Sequence, residues 1–304
     1  MVTALSSYLT SIRDHLRLDP SSERDIMGEL ASHIEDRVQE LKQSGLSEEE
    51  ATSTCLRLLG SAKTVARQLY EAHSQGTWKQ ALMASLPHIL FALLFVLNWW
   101  RGMGWLLAVL GLVLATVVYG WWHSKPTWFF PWLGYSLVPV AVAGLFLIYL
   151  PRGWSWLAII FYIPLAAWLL YRITVQTIKR DWLYSSLMLL PVPVIVGWVL
   201  AMEAELGFSR YGLEHVQRFG PWIGTSFLAL AIPVAVSVRL RQRWLKIAVL
   251  LISGLLTLLL VAYYTSGRFG LPAFLVLILV MVGLFLTPAL LSRKLKHAAH
   301  QPPP

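Results

Sequence analysis

Two patterns of apolar positions divide this chain. Over the first 75 residues, apolar side chains recur every three or four positions, as Ile26, Leu30, Ile34, Val38 and Leu41 illustrate. That spacing is typical of amphipathic helices. From about residue 82 onward, the apolar runs are almost continuous and are interrupted only by short polar turns. The pattern predicts a polar helical head followed by a membrane-embedded half.

Turn and capping residues predict four helices in the head, the first over about 3–17. The other signals are a Ser22–Asp25 capping pattern for the second helix, Gly45 for its end, a Ser47–Glu50 pattern for the third, Gly60 for its end, and His73 for the end of the fourth. Each helix has one apolar stripe and cannot stand alone, so the four are expected to pack as a bundle.

Eight apolar stretches are long enough to cross a bilayer as helices, which takes roughly 17–25 residues. They lie near 82–100, 103–122, 128–150, 154–173, 183–202, 221–238, 244–264 and 271–291. The predicted fold is all-α, with a small N-terminal cytoplasmic helical bundle before an eight-helix transmembrane bundle. The expected domains are 1–75 for the head, 76–292 for the transmembrane part and 293–304 for a basic, proline-rich cytoplasmic tail.

Lys and Arg indicate on which side of the membrane each loop lies. If the N-terminus is cytoplasmic, the inner loops and tail hold eleven of these residues and the outer loops hold five. This bias follows the positive-inside rule and places both termini in the cytoplasm. Tryptophans near the span ends, as at 99–100 and 154–156, are typical of interfacial anchors.

Charge differs between the two halves. Residues 1–80 hold nine Lys and Arg against twelve Asp and Glu, whereas residues 81–304 hold sixteen against four. The overall charge of +9 is therefore not a nucleic-acid footprint, because the excess lies in short loops. An acidic head and basic inner loops predict electrostatic docking that salt weakens. The expected partners are the lipid bilayer and a cytoplasmic protein, a regulator or an ATPase, and a homo-oligomer stays open.

Part of the head resembles a known domain. The motifs are E-L-x-x-H-I-E-D-R-V-x-E-L at 29–41, G-L-S-E-E-E-A at 45–51, R-L-L-G at 57–60 and V-A-R-Q-L at 65–69. Their order is similar to the permease-prefix, or HAAS, domain, over about residues 4–74. The resemblance implies a bacterial inner-membrane protein of several spans, since this module heads such proteins, including transporter permeases, often beside genes for PadR-type regulators. Ser61 replaces the usual Asp, which we interpret as a tolerated capping change.

One side of the second predicted helix is a candidate partner-docking surface. Glu29, His33, Asp36 and Arg37 lie there, three and four positions apart. A metal site and a pH-sensitive histidine are alternative uses of this pattern. Helix-surface pairing that only supports the helix is the simpler interpretation.

Three residues in the spans are candidates for lining a cavity. Pro191 and Pro193 predict a broken fifth span, and broken helices at membrane depth are buried in protein or line a cavity. His88, near the start of the first span, is the third candidate. Simple kinks, for the prolines, and a packed or interfacial group, for the histidine, are the alternatives. No Asp, Glu, Lys or Arg lies in the middle of a predicted span, which argues against an ion-coupled pump.

Other chemistry is poorly represented. The outer segment 203–220 holds the potential metal ligands Glu203, Glu205, Glu214 and His215. Its interleaved apolar residues favour a helix on the membrane surface instead. LGSAKT at 59–64 lacks the glycines of a phosphate-binding loop, and a single cysteine excludes an intrachain disulfide. We therefore expect no catalytic residue, no metal and no cofactor.

The sequence thus predicts a multi-pass membrane protein with a cytoplasmic regulatory or adaptor head, acting in envelope sensing or signalling through a cytoplasmic partner. The alternative is a permease, or the membrane subunit of a transporter powered by a separate ATPase chain. Against it, the longest inner loop, at 171–182, barely allows a coupling helix for an ATPase. A membrane enzyme ranks third, because the spans contain no polar cluster.

Overall fold

The structure, a computed structural model, describes residues 2–16, 18, 20–137, 158–206, 213–264 and 271–299. All regular structure in these residues is helical, which confirms the all-α class. The chain forms two compact units. The first is Met1–Gly76 together with Leu240–Arg243, and the second is Thr77–Arg239 together with Trp244–Pro304.

The head contains the four predicted helices. They are α1 (Val2–His15), α2 (Pro20–Gln43), α3 (Glu48–Leu59) and α4 (Ala62–His73). The predicted start of the second helix was wrong, because α2 begins at Pro20 and Ser22 lies within its first turn. The fixed φ of proline suits the first position of a helix, where its missing N–H needs no partner.

Helix α1 ends at His15, two residues before its predicted end, whereas the predicted boundaries from the end of α2 to the end of α4 are confirmed. Ser47 and Glu50 cap α3 reciprocally: the Glu50 backbone N–H donates to Ser47 Oγ at 3.3 Å, and the Ser47 N–H donates to Glu50 Oε2 at 3.1 Å. Ser61 caps α4 by accepting from the Thr64 N–H at 3.2 Å. Gly45 and Gly60 have φ of 100° and 84°, which side chains other than glycine rarely adopt. The chain therefore turns where the glycines predict.

An apolar cluster holds α1, α2 and α4 together. Its buried members are Ile12, Leu16, Leu18, Ile26, Met27, Val65, Ala66 and Tyr70. Six of these residues lie in the three helices, and Leu16 and Leu18 lie in the connection between α1 and α2. Helix α3 packs against α2 and buries Ala51 and Cys55. The second half of α2 and α3 therefore form a helical hairpin at the side of this cluster.

A loop from far along the chain belongs to the head. Ser74 Oγ donates to the carbonyl oxygen of Arg241 at 2.9 Å, and Arg241 Nε donates to Gln75 Oε1, also at 2.9 Å. Residues 74–76 lead directly into the next helix. The basic residue Arg241 thus binds a neutral amide and a hydroxyl here, rather than a carboxylate.

The second unit contains longer, mostly apolar helices. They are α5 (Trp78–Val96), α6 (Met103–Trp122), α7 (129–137), α8 (Ile163–Arg180), α9 (Trp182–Leu189), α10 (Pro191–Leu206), α11 (Leu213–Arg239), α12 (Arg243–Tyr264) and α13 (Leu271–Ala299). A 3₁₀ turn, Trp99–Arg101, joins α5 to α6, and a π-helical turn, Ala158–Tyr162, precedes α8. Helix α13 continues past 292 into the segment that the sequence predicted to be a tail.

Four helices in the described residues are long and apolar enough to cross a membrane. They are Trp78–Val96, Met103–Trp122, Gln217–Arg239 and Arg243–Tyr264. The shorter apolar helices Trp182–Trp198 and Leu277–Leu291 accompany them. The length and composition of these helices indicate a membrane protein. Parts of the predicted spans 128–150 and 154–173 lie outside the described residues.

Helices α5 and α11 form the main antiparallel pair of this unit. Phe91 and Phe227 meet near its middle, with ring centroids 5.9 Å apart. Near the end of α5, Gly224 lies so close that an added Cβ would be 2.7 Å from the Ala92 carbonyl oxygen. Gly220 lies one turn earlier, and small residues at this four-residue spacing let membrane helices approach closely. The two helices therefore pack backbone to backbone.

Candidate functional site

The structure brings the four predicted docking residues to one exposed side of α2. The side chains of Glu29 and His33 are 72% and 73% exposed, and the side chain of Arg37 is 58% exposed. Asp36 is exposed beside them. His33 Nε2 lies 3.8 Å from Glu29 Oε1, and Arg37 donates to Glu40. Exposed pairs of this kind stabilise a helix only weakly, so these charges stay available to a partner.

A shallow groove lies on another part of the head, between α1, α2 and α3. It has a volume of about 270 Å³ and is lined by Leu5, Glu35, Val38, Gln39, Lys42, Glu48 and Thr52. Lys42 Nζ lies 3.3 Å from Glu48 Oε2 across it. The groove is below the roughly 300–1,000 Å³ of ligand pockets, so one or two side chains of a protein partner suit it better. The sequence analysis did not find it, because three helices build it.

The single cysteine, Cys55, lies on α3 close to Arg37 of α2. Cys55 is buried, and this burial raises the pKa of its thiol, while the nearby Arg37 guanidinium acts in the opposite direction. Partial burial, and then Cys55, raise the pKa of Tyr8, whose hydroxyl donates to the Gly60 carbonyl at 2.9 Å. The Cys55 thiol is therefore a protected, poorly reactive group.

In the second unit, His88 is fully buried. Helix α5 runs from Trp78 to Val96, so His88 lies at the midpoint of this helix. The residue is 0% exposed. Its ring stands edge-on to Tyr135 of α7, with centroids 5.0 Å apart and planes at 81°. His88 is thus packed in protein, as one of the alternatives proposed, and its role in lining a cavity stays a prediction.

His88 also differs from other histidines in its hydrogen bonding. His15, His73 and His123 each place Nδ1 within 2.7–3.0 Å of the carbonyl oxygen four residues earlier. For His88 that carbonyl belongs to Ala84, which lies close enough for a weak hydrogen bond to the ring. By the stricter geometry that the other histidines satisfy, however, neither ring nitrogen of His88 has a partner among the described groups. The imidazole is thus a buried polar group with at most one weak backbone partner in the described part, so at least one ring nitrogen is unpaired there.

Two more fully buried polar side chains share this property. Tyr135 Oη and Ser185 Oγ, on α7 and α9, have no hydrogen-bond partner among the residues described. Other buried polar groups of the same core are paired: Trp198 Nε1 donates to Ser226 Oγ at 3.1 Å. The sequence analysis missed Tyr135 and Ser185, although a tyrosine and a serine inside predicted spans were the available signal.

The fifth predicted span is interrupted only slightly at its prolines. Helix α9 ends at Leu189 and α10 begins at Pro191, but Leu190 between them keeps a helical backbone with φ of −54° and ψ of −37°. Both Pro191 and Pro193 are buried. Leu190 faces Gly254 of α12, where an added Cβ would lie 3.9 Å from Leu190 Cδ1. Protein therefore covers this point, and a cavity beside the two prolines stays a prediction.

The predicted metal ligands of the outer segment lie outside the described side chains. This holds for Glu203, Glu205, Glu214 and His215. In the described part, no three His, Cys, Asp or Glu residues form a group that could hold a metal ion. Asp181, by contrast, is a buried acid that the sequence analysis did not single out. Its Oδ1 accepts from the Leu183 N–H at 3.1 Å and so caps α9.

Comparison with known proteins identifies the head only. Residues 7–68 match the family model described as HAAS. No curated protein and no solved structure matches the chain. The matched region contains most of α1, all of α2 and α3, and the first half of α4. The N-terminal unit of this chain is therefore similar to the HAAS family, as its sequence motifs predicted.

Proposed function

We propose that this protein is a multi-pass protein of a bacterial inner membrane whose cytoplasmic head is a regulatory adaptor for another protein. The exposed charged side of α2 carries the proposal, because it lies on a HAAS-like unit that continues into long apolar helices. The role that fits this arrangement is envelope sensing or signalling. The eight-span topology with both termini inside is part of the proposal and rests on the charge bias of the loops.

The chemistry of this surface indicates the kind of partner. Glu29, Asp36 and Glu40 outnumber Arg37, so the surface is acidic at neutral pH. A partner with clustered Lys and Arg would complement it, and such complementarity mainly sets specificity and association rate. The groove beside α3 would accept an apolar or basic side chain next to Glu35. Binding is therefore expected to weaken as salt rises.

The linker after α4 gives the head a route to the membrane helices. Residues 74–75 are hydrogen-bonded to Arg241 within the first unit. The chain runs directly from this linker into α5 and from α11 into residues 240–243. A partner that loosened the linker would therefore act through the chain itself on the start of α5 and the end of α11, which lie at the same end of this antiparallel pair.

The proposal is tested by site-specific photo-crosslinking of the full chain in membranes. A photoreactive residue at Asp36 is expected to give one discrete adduct, and the same residue at Gln68, exposed on α4, serves as the control. Glu29→Lys with Glu40→Lys should abolish the adduct. An adduct that is equally strong at Gln68, or that survives the charge reversal, would contradict a docking surface on α2.

A permease, or the membrane subunit of a transporter, is the second candidate. The interruption of helical hydrogen bonding beside Pro191 and the buried His88 favour it, because interrupted helices and intramembrane ionisable residues mark transport pathways. Gentle purification from native membranes separates the two candidates. A stoichiometric ATPase subunit supports transport, whereas a regulator bound through α2 supports signalling.

A further inference from the structure

The pair His88 and Tyr135 combines two features that rarely occur together. Both residues are 0% exposed, and both have polar atoms with no hydrogen-bond partner among the described protein groups. More than nine in ten buried polar groups in proteins have a partner, from the protein or from a small bound molecule. Leaving one without a partner costs about 1–3 kcal/mol. Two such groups in ring contact therefore call for a shared explanation.

A hydrogen bond between the His88 and Tyr135 side chains does not explain their missing partners. The rings meet edge to face at 5.0 Å, so their contact is between aromatic surfaces. Phe91 covers the Tyr135 ring, with centroids 4.3 Å apart, and Phe227 lies 5.9 Å from it. These neighbours offer neither donor nor acceptor side-chain groups. The polar atoms of the pair thus lie in an apolar aromatic shell.

The burial of the pair limits what can bind to it. Both side chains are fully buried, and the Phe91 and Phe227 rings beside Tyr135 offer no hydrogen bond. A neutral imidazole has one donor and one acceptor nitrogen, and a phenol both donates and accepts. The missing partner must therefore be small, uncharged, and able both to donate and to accept a hydrogen bond.

We propose that His88 and Tyr135 form a binding site, in the core of the membrane-embedded unit, for one water-sized molecule that bridges the imidazole and the phenol. The bound molecule joins α5 to α7 by hydrogen bonds in addition to aromatic packing. Its presence makes the contact between these helices sensitive to any change that opens the site. This inference is independent of the adaptor function of the head.

Nuclear magnetic resonance of the full chain in lipid bilayers, labelled with ¹⁵N-histidine, tests the site with water as the probe. The chain has eight histidines, and the signal that disappears in His88→Phe belongs to His88. We expect magnetisation from water protons to reach this buried ring. Tyr135→Phe removes one partner of the bridge and should abolish most of the transfer. Phe91→Leu alters packing on the same Tyr135 ring but keeps both polar atoms, and should retain the transfer.

Thermal unfolding of the same variants provides a second measurement. If a molecule bridges the pair, His88→Phe and Tyr135→Phe each lower the midpoint, and the double variant loses less than the sum. If the two groups have no shared partner, each phenylalanine removes an unsatisfied polar group, so both changes raise the midpoint and add. Additive increases, no transfer from water to His88, or transfer that persists unchanged in Tyr135→Phe would each overturn the proposal. If His88→Phe fails to fold, the conservative variant His88→Gln assigns the His88 signal instead, so the measurement on the unmodified chain stays decisive.

Discussion

The substitution Gly224→Ala tests the close packing of α5 and α11. An added Cβ would lie 2.4 Å from Val96 Cγ2 and 2.7 Å from the Ala92 carbonyl oxygen. Both distances are shorter than real Cβ contacts allow. The Val96 side chain is partly exposed and can rotate away. The Ala92 oxygen belongs to the α5 backbone, so relief requires the two helices to move apart.

A matched control separates the steric cost of Gly224→Ala from the gain in helix stability that alanine brings. Overpacking a well-packed core costs about 1–3 kcal/mol. Alanine also stabilises a helix by up to about 1 kcal/mol relative to glycine, which would mask part of that cost. Gly111 of α6 has nothing within 4 Å of an added Cβ, so Gly111→Ala carries the helix term alone. The difference between the two variants isolates the steric term.

Thermal unfolding of the full chain in lipid nanodiscs measures this difference. At about 2–4 °C per kcal/mol, Gly224→Ala is expected to unfold roughly 2–12 °C below Gly111→Ala. Gly111→Ala itself should match or exceed the unmodified protein. Equal midpoints for the two alanine variants would show that α5 and α11 do not approach closely at Gly224.

Further predictions concern the head and the topology. Hydrogen bonds from Ser47 hold the pKa of Glu50 below its ordinary value. The cap therefore stabilises the head at pH values above the ordinary pKa of Glu, and this stabilisation is lost as the pH falls through the lowered pKa. Glu50→Gln should flatten this part of an acid titration followed by circular dichroism. Ile12→Asp places an unpaired charge at a fully buried position and should abolish the helical signal of a fragment of residues 1–76; a folded variant would show that Ile12 does not belong to the head core. A cysteine at Ser124 should react with a membrane-impermeant maleimide only from the cytoplasmic side, over a low background from the buried Cys55; labelling from outside would reverse the proposed orientation.

Local signals predicted the head well. Glycines at positive φ and the reciprocal cap of Ser47 and Glu50 depend on a few neighbouring residues, so the sequence contains all of their information. The failure at Ser22 has the same local origin. Two valid start signals compete there, and the proline two positions earlier opens the helix. Choosing between them requires the packing of α2 against α1, which no short motif encodes.

Non-local contacts explain what the sequence did not predict. The midpoint position of His88 in α5 depends on polar residues such as Lys79 and Gln80 extending α5 before the apolar run begins. The contact with Tyr135 joins residues almost fifty positions apart, and hydropathy does not reveal such a pairing. The four-residue spacing of Gly220 and Gly224 was visible in the sequence. Its partner helix was not, because a small-residue motif does not specify which helix it packs against.

The hydrogen bonds of Arg241 also set an order for biosynthesis. Residues 74 and 75 leave the ribosome early, but their partner is encoded 167 and 166 residues later. At roughly 5–20 residues per second, this part of the head waits about 8–33 s for its last contacts. During that interval the linker lacks the two hydrogen bonds that anchor it. A chain truncated before residue 240 would lack them permanently, so its linker would stay less constrained than in the finished chain, a difference that quality-control proteases could detect.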